Sequence, residues 1–164
     1  MKNLMLTFIS LILAGSLSAQ VNFNNNTVSA ENYSSALGET NISNGLSSFA
    51  GGFGSQATGN YSIGFGYLTL SNGLHSIALG SESKATQNYG LAMGRHAYST
   101  NVNAVAIGKY AEAGGISSFA LGTNILNSAG FAFLVGTGDG FSEKLTNSID
   151  NRVIIGFNST VHTF

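Results

Sequence analysis

The chain has 164 residues, the length of one ordinary domain, and only 8% of them are charged, against roughly 25% in a typical soluble protein. A hydrophobic share of 43% excludes a disordered, highly charged tail. The absence of cysteine excludes a disulfide framework, a thiolate metal site and a cysteine nucleophile. Six Lys+Arg against seven Asp+Glu leave a formal charge of -1, which argues against a nucleic-acid partner, since such binders concentrate basic residues.

The first element is a targeting segment. Lys2 precedes an apolar run from Leu4 to Leu13, and Ala14-Gly15-Ser16-Leu17-Ser18-Ala19 follows with the small residues a signal peptidase accepts. A basic start, a short apolar core and a small-residue exit predict a secretory signal peptide over residues 1–19. Its apolar core falls short of the ~20 residues needed to span a bilayer. Cleavage after Ala19 removes Lys2 and takes the formal charge from -1 to -2. The mature chain is expected to be exported, with no membrane-spanning segment. Residues 20–33, rich in asparagine, form a lead-in that covers the first repeat.

From residue 34 a fixed period takes over. Ser76-Ile-Ala-Leu-Gly80, Gly90-Leu-Ala-Met-Gly94, Ala104-Val-Ala-Ile-Gly108 and Ser118-Phe-Ala-Leu-Gly122 are successive copies of one pentapeptide. The closing glycines stand at Gly38, Gly52, Gly66, Gly80, Gly94, Gly108, Gly122 and Gly136, always fourteen apart. Eight repeats of fourteen thus occupy residues 34–145. A disordered Ser/Gly tract has no reason to keep register, so the period predicts a stacked repeat architecture. Fourteen residues are too few for a helical hairpin but suit two short strands and two turns. The reading is all-β: a parallel β-solenoid of about eight 14-residue coils. Gly45, Gly59, Gly73, Asn101 and Gly115 recur seven residues after the repeat glycine and are expected to take a left-handed corner.

Parity decides which side chains face inward. A narrow coil accepts only small residues between its strands, so the interior holds Ala36, Ala50, Gly64, Ala78, Ala92, Ala106 and Ala120. The small residues three and five places after each glycine, such as Ser83 and Ala85, join them. Turning the large residues inward would set them opposite Glu82, Lys84 and Glu112 and bury unpaired charge. The large residues therefore point outward in two rows. One holds Phe49, Ile63, Ile77, Leu91, Val105, Phe119 and Phe133; the other Leu37, Phe65, Leu79, Met93, Ile107, Leu121 and Val135, interrupted at Ser35 and Gly51. Eight coils at roughly 4.8 Å give a face about 38 Å long. Such a stripe exceeds the few hundred Å² of apolar surface that a monomer usually tolerates. The stripe, from Phe49 to Val135, is the predicted subunit interface. It calls for partners without fixing their number.

These repeats resemble the head of the trimeric autotransporter adhesins, the YadA-like family, whose motif is Ser-Val-Ala-Ile-Gly followed by a small residue. Ala104-Val-Ala-Ile-Gly108 with Ala111 and Ser76-Ile-Ala-Leu-Gly80 with Ser83 carry the likeness over residues 34–136. The resemblance implies a left-handed parallel β-roll, assembly as a homotrimer, and a non-enzymatic adhesin at the bacterial surface or outer membrane, or secreted, with an extracellular ligand. The alternative is the structural solenoid of a secreted or phage-type fibre. Full adhesins of that family carry a stalk and a membrane β-barrel, for which residues 137–164 are too short, so a fragment or another route of anchoring is expected. Residues 146–164 read as a C-terminal cap or connector. Leu134 stands at a small-residue position and Asp139 at an interior one, and Val153-Ile-Ile-Gly-Phe157 reads as one further strand or the start of that connector.

No residue set points to catalysis, a cofactor or a metal. His75, His96 and His162 occupy different repeat positions, and Glu82 and Glu112 stand two coils apart, nearly 10 Å by strand spacing. Gly136-Thr-Gly-Asp-Gly140 is similar to a calcium turn but occurs once, whereas calcium-binding rolls repeat it every ~9 residues. Ice binding would want a regular threonine row, and the outward series Thr40, Gly54, Leu68, Glu82, His96, Tyr110 and Asn124 varies freely.

Overall fold

Small and large side chains alternate through each pentapeptide, and an extended chain sends them to opposite sides. The computed structural model describes residues 25–29, 32–139 and 143–157. There the alternation becomes a five-residue strand in successive repeats: Ser35–Glu39, Phe49–Phe53, Ile63–Tyr67, Ile77–Ser81 and Leu91–Arg95. A two-residue strand follows each one, at Ile42–Ser43, Gln56–Ala57, Leu70–Ser71, Lys84–Ala85 and Tyr98–Ser99. In the next two repeats the long and short strands merge into Val105–Ala113 and Phe119–Asn127. Pairing is parallel and in register at the sequence period, with Ile63 opposite Ile77, Ala78 opposite Ala92 and Gly108 opposite Gly122. Long strands stack on long and short on short, so the chain climbs one coil per repeat. The fold is all-β, a parallel β-solenoid of about eight coils. The signal peptide assigned to residues 1–19, the first part of the lead-in, Gly140 and His162 lie outside the described residues.

The interior is lined as parity requires. Ala36, Ala50, Ala78, Ala92, Ala106 and Ala120 are buried, and so are Asn41, Ser55, Thr69, Ser83, Ala97 and Ala111 on the opposite wall. So many buried hydroxyls and amides need partners inside the roll. Ser43 and Ser48 share a hydrogen bond of 2.8 Å, and Ser71 and Ser76 one of 2.7 Å. Asn41 accepts from the Ser55 N–H at 2.8 Å and donates to the Gly52 carbonyl at 2.9 Å, tying two coils together. Asn26 repeats this action one coil earlier, accepting from Asn41 N–H and donating to the Gly38 carbonyl. With strand Thr27–Val28 paired to Ile42–Ser43, the lead-in covers the short-strand wall of the first coil.

The corners differ from the sequence reading. Gly45, Gly59, Gly73, Asn101 and Gly115 do not take the left-handed backbone. That backbone falls on other residues, at two series of corners: Thr40, Leu68, Glu82, His96 and Tyr110, and Tyr61, His75, Tyr89 and Asn103, all with φ between 51° and 59°. A left-handed non-glycine residue costs about 1–2 kcal/mol. Coil stacking offsets this, because each corner N–H reaches a carbonyl of the preceding coil: Glu82 to Tyr67 at 2.7 Å, His75 to Asn60 at 2.9 Å. At Gly45 and Gly73 the need is for space, since a Cβ there would strike the backbone carbonyl of the next coil. The eight repeat glycines combine both demands. Gly80, for example, has φ of +113° and lies directly against the Gly94 carbonyl.

The stack also continues past residue 145. Strand Leu145–Asn147 pairs with Ile125–Asn127, and Val153–Phe157 pairs with Phe133–Thr137, setting Gly156 opposite Gly136. Twenty residues separate those glycines, six more than the period. The boundary drawn at 145 therefore cuts through a coil that carries a six-residue insertion. This insertion displaces Asp139, which is exposed, and Leu145 takes its place opposite Ile125. The interior is accordingly wider at this end. Ile125 and Leu134 are fully buried there, with Leu145 and Ile154 packed against them, where earlier coils hold alanine or serine.

Candidate interaction surface

The same alternation that buries alanine turns the two rows of large residues on the long strands outward, with Leu134 the inward exception at the wide end. Leu37, Ile63, Phe65, Met93, Leu121 and Phe133 are exposed, Phe65 by 46% and Met93 by 40%. Phe49, Ile77, Leu79, Leu91, Val105, Ile107, Phe119 and Val135 are half-buried, because each leans on its neighbours one coil above and below. Ring contact reinforces this where aromatics meet, as in the Phe119–Phe133 stack at 4.5 Å. In the last described coil Val153 and Ile155 extend both rows and are more than two-thirds exposed. The outcome is a continuous apolar face along one side of the rod. Its side chains are packed on each other laterally and open to solvent at their tips.

The break expected at Gly51 is filled. Phe65 lies back over the glycine, its Cε2 2.7 Å from where a Cβ would stand, and stacks with Phe49 at 6.1 Å and 12°. Phe65 thus bridges the missing side chain, and residue 51 has to be small for it to do so. Sequence reasoning also missed how far the face spreads sideways. The long strand runs one residue past each glycine, so Phe53 and Tyr67 point out beside the stripe and stack at 5.6 Å. Leu68, at the adjacent corner, is exposed as well. The signal was present in the parity, which continues to the residue after the glycine.

Two further aromatic ladders decorate the corners. Tyr61, His75 and Tyr89 stack in one series at 4.8 and 5.5 Å. His96 and Tyr110 stack in the other at 4.9 Å, with His96 Nδ1 3.6 Å from Glu82 and 3.3 Å from the Tyr98 hydroxyl. Both ladders arise because corners repeat at one coil spacing. His75 and His96 stand on different corners, and among the described residues no three His, Asp or Glu side chains gather closely enough to hold a metal ion. Glu112, read as a solvated acid, bonds Lys144 at 2.8 Å, and Asn124 donates to the Glu143 carbonyl; together they fasten the end of the insertion to the rod.

A stacked roll of 14-residue coils, glycine-closed and apolar on one outer face, matches a known repeat. The YadA head domain repeat matches twice, over residues 71–97 and 99–124. Residues 71–124 carry YadA-like head repeats. Coils outside the two matched segments keep the same register, from Ser35 opposite Phe49 at one end to Thr123 opposite Thr137 at the other. YadA-like heads belong to trimeric autotransporter adhesins, which are exposed at bacterial surfaces, and this fold is typically non-enzymatic. No curated protein matches the chain.

Proposed function

We propose that this YadA-like head is the attachment module of a cell-surface adhesin: a rigid, left-handed roll that trimerises through its apolar stripe and presents its polar corners to a host, matrix or other surface. The observation that carries the reading is the outward placement of the two apolar rows from Phe49 to Val135. Burying one such side chain contributes ~1.5–3 kcal/mol, so covering the whole face strongly favours association. A closed ring of three chains brings three copies of the stripe onto one axis. Export by the leader at residues 1–19 and placement at the outer membrane complete the reading.

Light scattering on residues 20–164 tests the assembly. A mass of three chains is expected, and a well-folded monomer overturns the trimer. Adhesion is tested separately, with beads coated in the protein and offered to a matrix surface. Retention against shear is expected; beads no stickier than uncoated ones would leave a structural fibre as the function.

A further inference from the structure

We propose that the corner formed by Lys84, Arg95, His96, Tyr98, Lys109 and Tyr110 binds an acidic polysaccharide, a polymer bearing sulfate or carboxylate groups. The inference rests on the attachment reading and names the ligand class for one face of the head.

Lys84, Arg95 and Lys109 are well apart in sequence, yet the coil brings them to one edge of the rod. Leu91, Ala92 and Met93 lie opposite Val105, Ala106 and Ile107. Two residues further along this register Arg95 stands beside Lys109, roughly 4.8 Å away. Both are exposed. The Tyr110 ring supports both cations, with Arg95 Cζ 5.9 Å and Lys109 Nζ 5.6 Å from its centroid. Lys84 is held in the same way over Tyr98, at 5.4 Å. Two carboxylates share this corner: Glu82 lies 3.6 Å from His96 Nδ1, and Glu112, in register with Tyr98, bonds Lys144 at 2.8 Å, leaving Lys84, Arg95 and Lys109 in excess. Among the described residues neither Lys84 nor Arg95 has a carboxylate within ion-pair distance. A chain of net negative charge therefore presents one locally cationic edge.

The geometry selects a polymer over a small anion. These cations sit in water, where a single contact at about 4 Å changes affinity only about fivefold. Useful binding needs several contacts in a line, and the coil spacing supplies that line. Nucleic acid is disfavoured because base stacking needs an open ring face, and His96 already covers a face of Tyr110.

The test measures binding of the purified protein to immobilised heparin, hyaluronate, neutral dextran and a poly(dT) oligonucleotide at low salt. Retention on heparin is expected; retention on hyaluronate as well extends the site to carboxylates, and its absence assigns sulfate. Arg95→Gln should weaken heparin binding about fivefold and Arg95→Gln with Lys109→Gln about 25-fold. Arg152→Gln, which removes a cation from another part of the rod, should change it less than twofold, and Arg95→Lys should retain it. The proposal falls if the double variant binds like the parent, if Arg152→Gln costs as much as Arg95→Gln, if dextran is held equally, or if poly(dT) is bound more tightly than heparin. Beads that still adhere to a glycan-stripped matrix in that event would leave the attachment reading standing.

Discussion

Leu134→Ala removes a fully buried side chain from the inner row, where it faces Ala120 on one side and Ile154 on the other. Leu→Ala in a core costs about 2–5 kcal/mol, more when the surroundings cannot collapse. Here collapse is limited, because Ile125, Leu145 and Ile154 are held in place by their own strand pairings. A repeat array is stabilised by contacts between neighbouring coils, so the loss stays local and a single global melt would blur it. Residue-resolved hydrogen exchange is the suitable assay. Protection of Phe133–Thr137 should fall at least about 30-fold, the equivalent of ~2 kcal/mol, while Ile63–Tyr67 keeps its own. The mirror substitution, Ala92→Leu, places the same side chain between Ala78 and Ala106, where the coil has no insertion to widen it. Overpacking of about 1–3 kcal/mol should then expose Ile77–Ser81 and Leu91–Arg95 to exchange. Unchanged exchange at Phe133–Thr137 in the first variant, or at Leu91–Arg95 in the second, would refute the argument that the roll is narrow in its middle and wide at this end.

Ile77→Asp, Leu91→Asp and Ile107→Asp combined should yield monomers or aggregates by light scattering with the roll's circular dichroism retained; an unchanged oligomer would move the interface off the stripe. Ser62 and Ser118 have hydroxyls with no partner, and each faces an alanine where Ser76 faces Ser71. Ala57→Ser and Ala113→Ser should supply those partners and stabilise the local coils by about 1 kcal/mol each in exchange measurements, and destabilisation would show that no room exists for the added oxygen. Gly80→Ala forces a side chain into a left-handed backbone against the Gly94 carbonyl. It should deprotect Ile77–Ser81 and Leu91–Arg95 strongly, and wild-type exchange there would contradict the role given to the repeat glycines.

Much of this protein was legible without coordinates because the period is strict. A residue's row follows from its position modulo fourteen, and its face follows from strand parity. Ala92 inside and Met93 outside are therefore consequences of local sequence, as are the parallel register and the apolar stripe. Other features depended on the path of the chain in three dimensions. The left-handed corners fell on Glu82 and His75 rather than on Gly45 and Gly73, because coil-to-coil hydrogen bonds outweigh the intrinsic preference of a single residue. The coil broken at residue 145 became whole only when Leu145 was seen opposite Ile125, since an insertion destroys the spacing on which sequence reading relies. Phe65 closing the gap at Gly51 needed side-chain packing. The overall balance of charge concealed the cationic edge as well. Lys84, Arg95 and Lys109 are dispersed along the chain, and only stacking at one strand spacing, together with the pairing of Glu112 to Lys144 across the insertion, gathers positive charge at one corner.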